Sequence, residues 1–305
     1  MSSRSALNLF EHDLRRKLQE QQPGGGYDHQ AVEEFDLSRL LMAVMNWRIC
    51  LIPPRPRQVH VSEYMQSQPE MVEHIEAVTE IGRRLQEGAD VLPYLSKKAN
   101  KIVLHRDNDT PKQSRKRRME LDAMLYDWGV YHLHLGTEPD PKEPEYIARK
   151  GPLVFAAVSS EEVLMVGIFG HGDWAKEQVA EIITTNWPQH SKLRPSLTGL
   201  QPVTPVPPGE LQVLRNHGVN VLPVIQGRLH SSAGLTLDGG SLEVADRANN
   251  IIGCLQWIDG QVAAHSPAYR VAEKVGWYGL EGANGFDPIV AFPWWYDGEN
   301  WRPTP

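Results

Sequence analysis

The chain has 305 residues, of which 41% are hydrophobic and 23% are charged, a composition typical of a globular protein with one large or two smaller cores. Its net charge of −7 excludes a protein that is basic along its whole length, and no run approaches the roughly 18 apolar residues of a membrane span. Two distant cysteines, Cys50 and Cys254, exclude a disulfide framework and favour the cytoplasm as the location.

Helices are predicted for most of the first 90 positions. Residues 4–21 form a polar helix that ends at the glycine-rich stretch "QQPGGGYD", so residues 1–30 are expected to be a helix and a flexible linker. A second helix is predicted over 31–47. After it, "RQVHVSEY" alternates like a short strand, and "PEMVEHIEAVTEIGRRLQEG" predicts one amphipathic helix from Pro69 to Gly88.

A helix and a sheet are predicted for the central part of the chain. "PKQSRKRRMELDAMLYDWG" predicts one helix that begins at Pro111 and ends at Gly129, and "VYHLHLG" predicts the strand that follows. "PLVFAAVSS" and "EEVLMVGIFGHGD" are two apolar runs separated by a turn, which is typical of a β-hairpin. "DWAKEQVAEIITTNW" predicts a helix capped by Asp173.

This order of elements predicts the α+β class. Residues 31–194 are expected to form helices packed on a small antiparallel sheet. Residues 195–209 contain five prolines and predict a linker. Residues 210–305, with short strands and the helix "SLEVADRANNIIGCLQWID", predict a second small α+β unit, whose role the sequence does not indicate.

Positive charge is concentrated in one segment. Between Leu95 and Arg118, nine Lys or Arg residues and two Asp residues give a local charge of +7, which leaves about −14 on the remaining residues. Such a patch on an acidic chain favours a site for a polyanion, although a solvated helix face beside a loop would have the same composition. The cations expected to bind a nucleic acid are Arg115, Lys116, Arg117, Arg118, Arg149 and Lys150.

Two histidines follow this basic segment directly. In the strand predicted at "YHLHLG", His132 and His134 lie on one face, because side chains alternate between the faces of a strand. A third histidine, His171, follows the last strand of the predicted hairpin. Three interpretations of this group are open: structural histidines satisfied by their neighbours, a metal site, or acid–base catalysis.

The metal interpretation and the acid–base interpretation need different partners. The residues available for a metal ion are His132, His134, His171 and Asp173. Acid–base chemistry on RNA needs neither a metal nor a cofactor, because the 2′-hydroxyl is the nucleophile and an imidazole can remove or supply a proton near neutral pH. Nearby Arg and Lys side chains would stabilise the charge that develops on phosphorus.

One stretch resembles a known family. "YDWGVYHLHLG", followed by "ARKGPLVFAAVSSEEVLMVGIFGHGDW", is similar to the strand, hairpin and final strand of RelE/ParE-type bacterial toxins, and the resemblance covers residues 115–186. It implies a small antiparallel sheet packed on N-terminal helices and a ribonuclease in bacterial toxin–antitoxin or anti-phage biology, with RNA and an antitoxin or other protein as partners. The family's final Lys/Arg/Tyr cluster is replaced here by "GHGDW", so catalysis would rest on the chain's own histidines.

The leading hypothesis is therefore a metal-independent ribonuclease. His132 or His134 is expected to be the general base, and His171 the general acid. The first alternative is a non-catalytic module that binds a nucleic acid or a protein, with structural histidines. The second is a metal-dependent enzyme that uses the His-x-His pair.

Overall fold

The computed structural model describes residues 5–21, 29–103, 110–118, 120–149, 151–173, 176–195, 206–207, 210–217, 219–265, 294–296 and 301–303. Helices combine with small sheets in these ranges, so the predicted α+β class is confirmed. None of the helices found there is long and apolar enough to cross a membrane.

Most of the helices are short. The first group is Ala6–Gln21 (α1), His29–Glu34 (α2), Leu37–Ile49 (α3), Glu63–Ser67 (α4), Pro69–Glu73 (α5) and Ile75–Glu87 (α6). The second group is Pro111–Arg118 (α7), Ala123–Trp128 (α8), Glu177–Asn186 (α9), Glu210–Asn216 (α10) and Leu242–His265 (α11). A 3-10 turn spans Leu92–Tyr94.

The main sheet has four strands. They are Gln58–Val61 (β1), Val130–His134 (β2), Leu153–Val158 (β3) and Glu162–Phe169 (β4), in the spatial order β1–β4–β3–β2. Strands β2, β3 and β4 are antiparallel as predicted, whereas β1 pairs with β4 in parallel. The sheet is therefore mixed, and the prediction of a purely antiparallel sheet is wrong at this edge.

The remaining strands are short and lie later in the chain. Arg194–Pro195 (β5), Val224–Ile225 (β6) and Arg228–Ser231 (β7) form a second sheet, and Trp294–Tyr296 (β8) pairs with Trp301–Pro303 (β9). The predicted short strands after residue 210 are thus confirmed.

Three helices that were predicted to be continuous are each divided in two. The first breaks at Asp36, whose carboxylate accepts a hydrogen bond from a backbone N–H and starts α3. The second breaks at His74, between α5 and α6, and the third breaks before Asp122, which caps α8 in the same way. The predicted ends are correct: Gly88 and Gly129 both adopt the left-handed conformation that glycine tolerates.

Helices cover both faces of the main sheet. On one face, Val78 and Ile81 of α6 pack with Leu133 of β2. On the other face, Val179 of α9 and residues of α8 pack with Phe155 of β3. Because each face is covered, the strands are long apolar runs, and the histidines of β2 lie at the margin of a packed layer rather than on an open polar face.

The N-terminal helices pack mainly on a distant helix. Phe10 of α1 and Leu40 of α3 share one hydrophobic cluster with Ala248 and Leu255 of α11. The predicted N-terminal region and part of the predicted second unit therefore bury apolar surface together. The linkers predicted at 21–28 and 195–209 fall almost wholly outside the described residues, so the domain boundaries stay predictions.

Candidate functional site

Strand register brings three histidines to one edge of the main sheet. His134, at the end of β2, pairs with Leu153 of β3, which pairs in turn with Phe169 at the end of β4. The chain turns directly after Phe169, so His171 lies beside the end of β2. The ring centre of His134 is 5.4 Å from that of His171 and 6.4 Å from that of His132.

The three histidines line an open cleft of about 600 Å³, here called the histidine cleft. Its other lining residues are Cys50, Ser96, Lys98, Ala99, Arg118, Glu120, Leu121, Asp122, Ala123, Met124, Arg149, Gly172, Leu235 and Gly239. Its volume falls within the range of small-molecule sites, and several polar groups converge on it. The exposures differ: His171 is solvent-exposed, whereas the His132 side chain is 13% exposed.

Asp122 connects α8 to His132. One carboxylate oxygen, Oδ1, accepts a hydrogen bond from the backbone N–H of Leu125 at 3.0 Å and caps the helix. The other oxygen, Oδ2, lies 3.2 Å from Nδ1 of His132. A carboxylate this close to a ring nitrogen stabilises, by its charge, the imidazolium that forms when the ring accepts a proton.

Asp122 was not among the predicted site residues. The motif "LDAML" precedes a short helix that ends at Gly129, where the chain reverses into β2. An Asp that caps such a helix lies close to the first residues of the following strand. This local pattern is the feature that could have indicated Asp122.

His134 differs from its two neighbours because it is buried. It is 4% exposed, and its Nδ1 has no hydrogen-bond partner among the described residues. Burial lowers the pKa of His134 to about 3, and the nearby charges of Arg149, His132 and His171 act in the same direction. His134 is therefore neutral near pH 7 and a weak base, so His132 is the better candidate for the general base.

Cys50 also lines the cleft, as a protonated thiol. Burial raises the pKa of Cys50 to about 12, and the charge of Asp122 adds to that rise. The sulfur lies 3.3 Å from the hydroxyl oxygen of Tyr126. Because the thiolate is the nucleophilic form, Cys50 does not supply a nucleophile near neutral pH.

Two of the predicted nucleic-acid-binding cations lie in the cleft. Arg149 donates a hydrogen bond from Nη2 to the carbonyl of Leu95 at 3.0 Å, and Arg118 donates from Nη1 to the carbonyl of Leu237 at 3.1 Å. Lys98, which was not among the predicted site residues, adds a third cation to the lining. The lining also holds two carboxylates, Glu120 and Asp122, so with neutral histidines its formal charge is three minus two, or +1.

The other predicted cations lie elsewhere. Arg115, Lys116 and Arg117 belong to α7, a helix that buries none of its residues, and they do not line the histidine cleft. Lys150 lies outside the described residues. Because α7 ends at Arg118, this basic helix leads to the rim of the cleft, and its charges lie beside the histidines rather than among them.

A segment from the C-terminal part of the chain forms one wall of the cleft. Leu235 and Gly239 line it. Oδ1 of Asp127 accepts a hydrogen bond from the N–H of Gly234 at 3.1 Å, and Oδ1 of Asn220 accepts one from the N–H of Leu235 at 2.9 Å. Residues after the predicted linker therefore contribute to the same site as the histidines.

The predicted metal ligands do not form a metal centre, although three of them are neighbours. Oδ2 of Asp173 accepts a hydrogen bond from the N–H of Gly170 at 2.9 Å and lies 3.0 Å from Nζ of Lys176. Asp173 also does not cap α9, which begins after Lys176, so that prediction is wrong. Within the described ranges, no group of three or more His, Cys, Asp or Glu side chains is arranged to hold a metal ion. The set His132, His134, His171 and Asp173 is therefore not assembled as a metal centre.

No protein-family model, curated protein or solved structure matches this chain. The resemblance to RelE/ParE-type toxins therefore stays a hypothesis that rests on the residues quoted for it. The histidine cleft itself is the firmer basis for a function, since its geometry does not depend on any relative.

Proposed function

We propose that the histidine cleft cleaves RNA without a metal ion. The observation that carries this proposal is the convergence of three histidines, one aspartate and three cations on a single cleft of about 600 Å³. These are the groups that phosphodiester transfer to a neighbouring 2′-hydroxyl requires: a base, an acid and positive charge at the phosphate.

The reaction would proceed as an internal transfer. His132, with the Asp122 carboxylate beside it, takes the proton from the 2′-hydroxyl, and the 2′-oxygen forms a new bond to phosphorus. The bond from phosphorus to the 5′-oxygen breaks, and His171 donates a proton to that oxygen. The products are a 2′,3′-cyclic phosphate and a free 5′-hydroxyl, and no oxidant or metal takes part.

The remaining groups would act on the phosphate and on the histidines. Arg118, Arg149 and Lys98 would hold the phosphate and stabilise the charge of its transition state. His134, buried and neutral, would position the two outer imidazoles rather than exchange protons. The resemblance supports a wider role as a toxin-like ribonuclease in bacterial toxin–antitoxin or anti-phage biology. A cytoplasmic location is part of the same proposal, and the free thiols of Cys50 and Cys254 are compatible with it.

The test is RNA cleavage by the full-length protein in EDTA. His132→Ala and His171→Ala should each lower the rate by about 10²- to 10⁴-fold, the usual contribution of a general base or acid. His190→Ala is the matched control, because this partly buried histidine lies outside the cleft and pairs with Glu162. Cleavage that needs added Zn²⁺ or Mn²⁺, or that is equally strong in all three variants, would contradict the proposal.

A second candidate function is RNA binding without cleavage. The observation that favours it is the exposure of α7, which presents four cations near its C-terminal end and buries no residue. Such a protein would bind RNA with an affinity that falls steeply with salt and would leave the RNA intact. Tight binding together with intact RNA in every condition would support this candidate over the enzyme.

A further inference from the structure

A second cleft adjoins the histidine cleft. It has a volume of about 380 Å³ and lies between α3, the C-terminal end of α7 and the segment from Leu237 to Gly240. Arg118 and Leu121 line both clefts, so the two clefts lie next to each other and share that wall.

The second cleft combines positive charge with an apolar wall. Arg39, Lys101 and Arg118 supply the cations, and Asp238 is the one carboxylate among the lining residues that the structure describes. The apolar side includes Met42, Ala43 and Trp47 of α3. Simple inorganic anions would not need the apolar wall, and a purely apolar ligand would not need the cations. An anionic group joined to a ring satisfies both.

Two buried donors in these walls lack a partner. Trp47 is 8% exposed, and its indole Nε1 has no hydrogen-bond partner among the described residues. Nε of Arg118 is also buried without a partner in the described part of the chain. Because these nitrogens are buried, they do not present a surface to a ligand in the open cleft. Recognition there rests on the exposed cations Arg39 and Lys101 and on the apolar wall, which match phosphate oxygens and a nucleobase respectively.

We infer that the second cleft is a subsite for the nucleotide next to the scissile phosphate, so that the substrate is single-stranded RNA. This inference rests on the proposed function. Arg39 and Lys101 hold the backbone phosphate, and the apolar wall receives the base. A base that is paired in a duplex is stacked in the helix and does not reach such a wall, which is why the substrate is a single strand.

The test measures binding separately from cleavage. The probe is a fluorescent hexanucleotide of 2′-O-methyl RNA, which lacks the free 2′-hydroxyl and cannot be cut by the proposed route. The test variant is Arg39→Ala/Lys101→Ala. The matched control is Lys142→Ala/Arg228→Ala, which removes two exposed cations that line neither cleft. Anisotropy titrations over a series of KCl concentrations give the affinity and its salt dependence.

We expect the test variant to bind about tenfold more weakly at low salt. The negative slope of log affinity against log salt should become shallower by about 1.4, because two phosphate contacts are lost. The control should stay within about twofold of the original protein, and an abasic hexanucleotide or a stable duplex should bind more weakly than the intact single strand. Equal affinities of the test and control variants, equal binding of the duplex, or no binding by the original protein would each overturn the inference. If the original protein binds the probe in the expected way but does not cleave unmodified RNA, the proposed ribonuclease is overturned instead.

Discussion

Two groups of histidines lie at opposite ends of β4, and they differ in how their rings are partnered. At the end of the strand, the histidine cleft holds three imidazoles near one another, and one carboxylate, Asp122, lies at ion-pair distance from His132. At the start of the strand, Glu162 bridges two imidazoles: its oxygens lie 3.2 Å from Nε2 of His60 and 2.7 Å from Nε2 of His190. This second group is here called the edge cluster.

The difference favours the histidine cleft, rather than the edge cluster, as the site of the proposed reaction. In the edge cluster, a single carboxylate holds both rings, and the members are only about one-quarter to one-third exposed. In the histidine cleft, three cations line the same cleft as the rings, and one ring nitrogen of His134 is buried without a partner among the described residues. The number of histidines in each group does not indicate which group is a site for chemistry. The position of the carboxylates and the charge of the neighbouring side chains distinguish the two groups.

Among the changes that compare the two groups, the largest effect is expected from the carboxylate of the histidine cleft. Asp122→Asn keeps a side chain that caps α8, because Asn is as good an N-cap as Asp, and removes the negative charge beside His132. Cleavage should fall by about 100-fold, since the imidazolium that forms during the reaction loses its counter-charge. The measurement is kcat for RNA cleavage in EDTA, with thermal unfolding as the check on folding.

Asp122→Ala separates the two roles of this residue. It should lose as much activity as Asp122→Asn and also about 1 kcal/mol of stability, because the N-cap is removed as well. An Asp122→Asn variant that cleaves RNA at the original rate would show that His132 does not depend on this carboxylate. The carboxylate beside His132 would then not distinguish the histidine cleft from the edge cluster in function.

Local sequence patterns predicted the antiparallel strands of the sheet well. They did not predict the interruptions of the helices or the parallel strand at the edge of the sheet. The alternation of β2 and the apolar runs of β3 and β4 are properties of neighbouring residues, so they are visible in the sequence. The breaks at Asp36 and Asp122 depend on a side chain that accepts a backbone hydrogen bond, and the apolar spacing continues across them. The parallel pairing of β1 joins His60 to Leu164, a contact between distant positions that no local pattern specifies.

The candidate site was predicted only where its residues are close in sequence or share an obvious type. His132 and His134 stand out as a pair, and Arg118 belongs to a dense basic run. The wall formed by Leu235 lies about a hundred positions later and has no chemical signature of its own. The burial of His134 was also invisible, because it depends on helices packing over both faces of the sheet.

The next effect concerns the buried ring of the histidine cleft and the dependence of stability on pH. The pKa of His134 is about 3 in the folded protein and about 6.5 in an unfolded chain. The contribution of the buried, neutral ring to the free energy of unfolding is therefore fully present above pH 6.5. As the pH falls towards 3, the unfolded chain takes up a proton that the folded protein does not, and this stability is lost by up to about 1.4 kcal/mol per pH unit.

His134→Asn should remove this pH dependence. At pH 7 the variant should be less stable than the original protein, and the gap should shrink by up to about 2.5 kcal/mol on going to pH 4.5. Urea unfolding at both pH values measures the gap, and His12→Asn, which changes an exposed side chain, is the control. A gap that stays constant between the two pH values would show that the buried ring takes up its proton as readily in the folded protein as in the unfolded chain.

The smallest effect is expected from the edge cluster. Glu162→Gln removes the charge that bridges His60 and His190, but its side chain is 31% exposed and water screens both contacts. The free energy of unfolding should fall by only about 0.2–1 kcal/mol. RNA cleavage should stay within about twofold of the original rate, since neither histidine lines the cleft. The measurements are urea unfolding and the same kcat assay that is used for Asp122→Asn. A loss of activity as large as that of Asp122→Asn, without unfolding, would mean that the two ends of β4 act in one reaction, because a contact of this strength cannot otherwise change the rate.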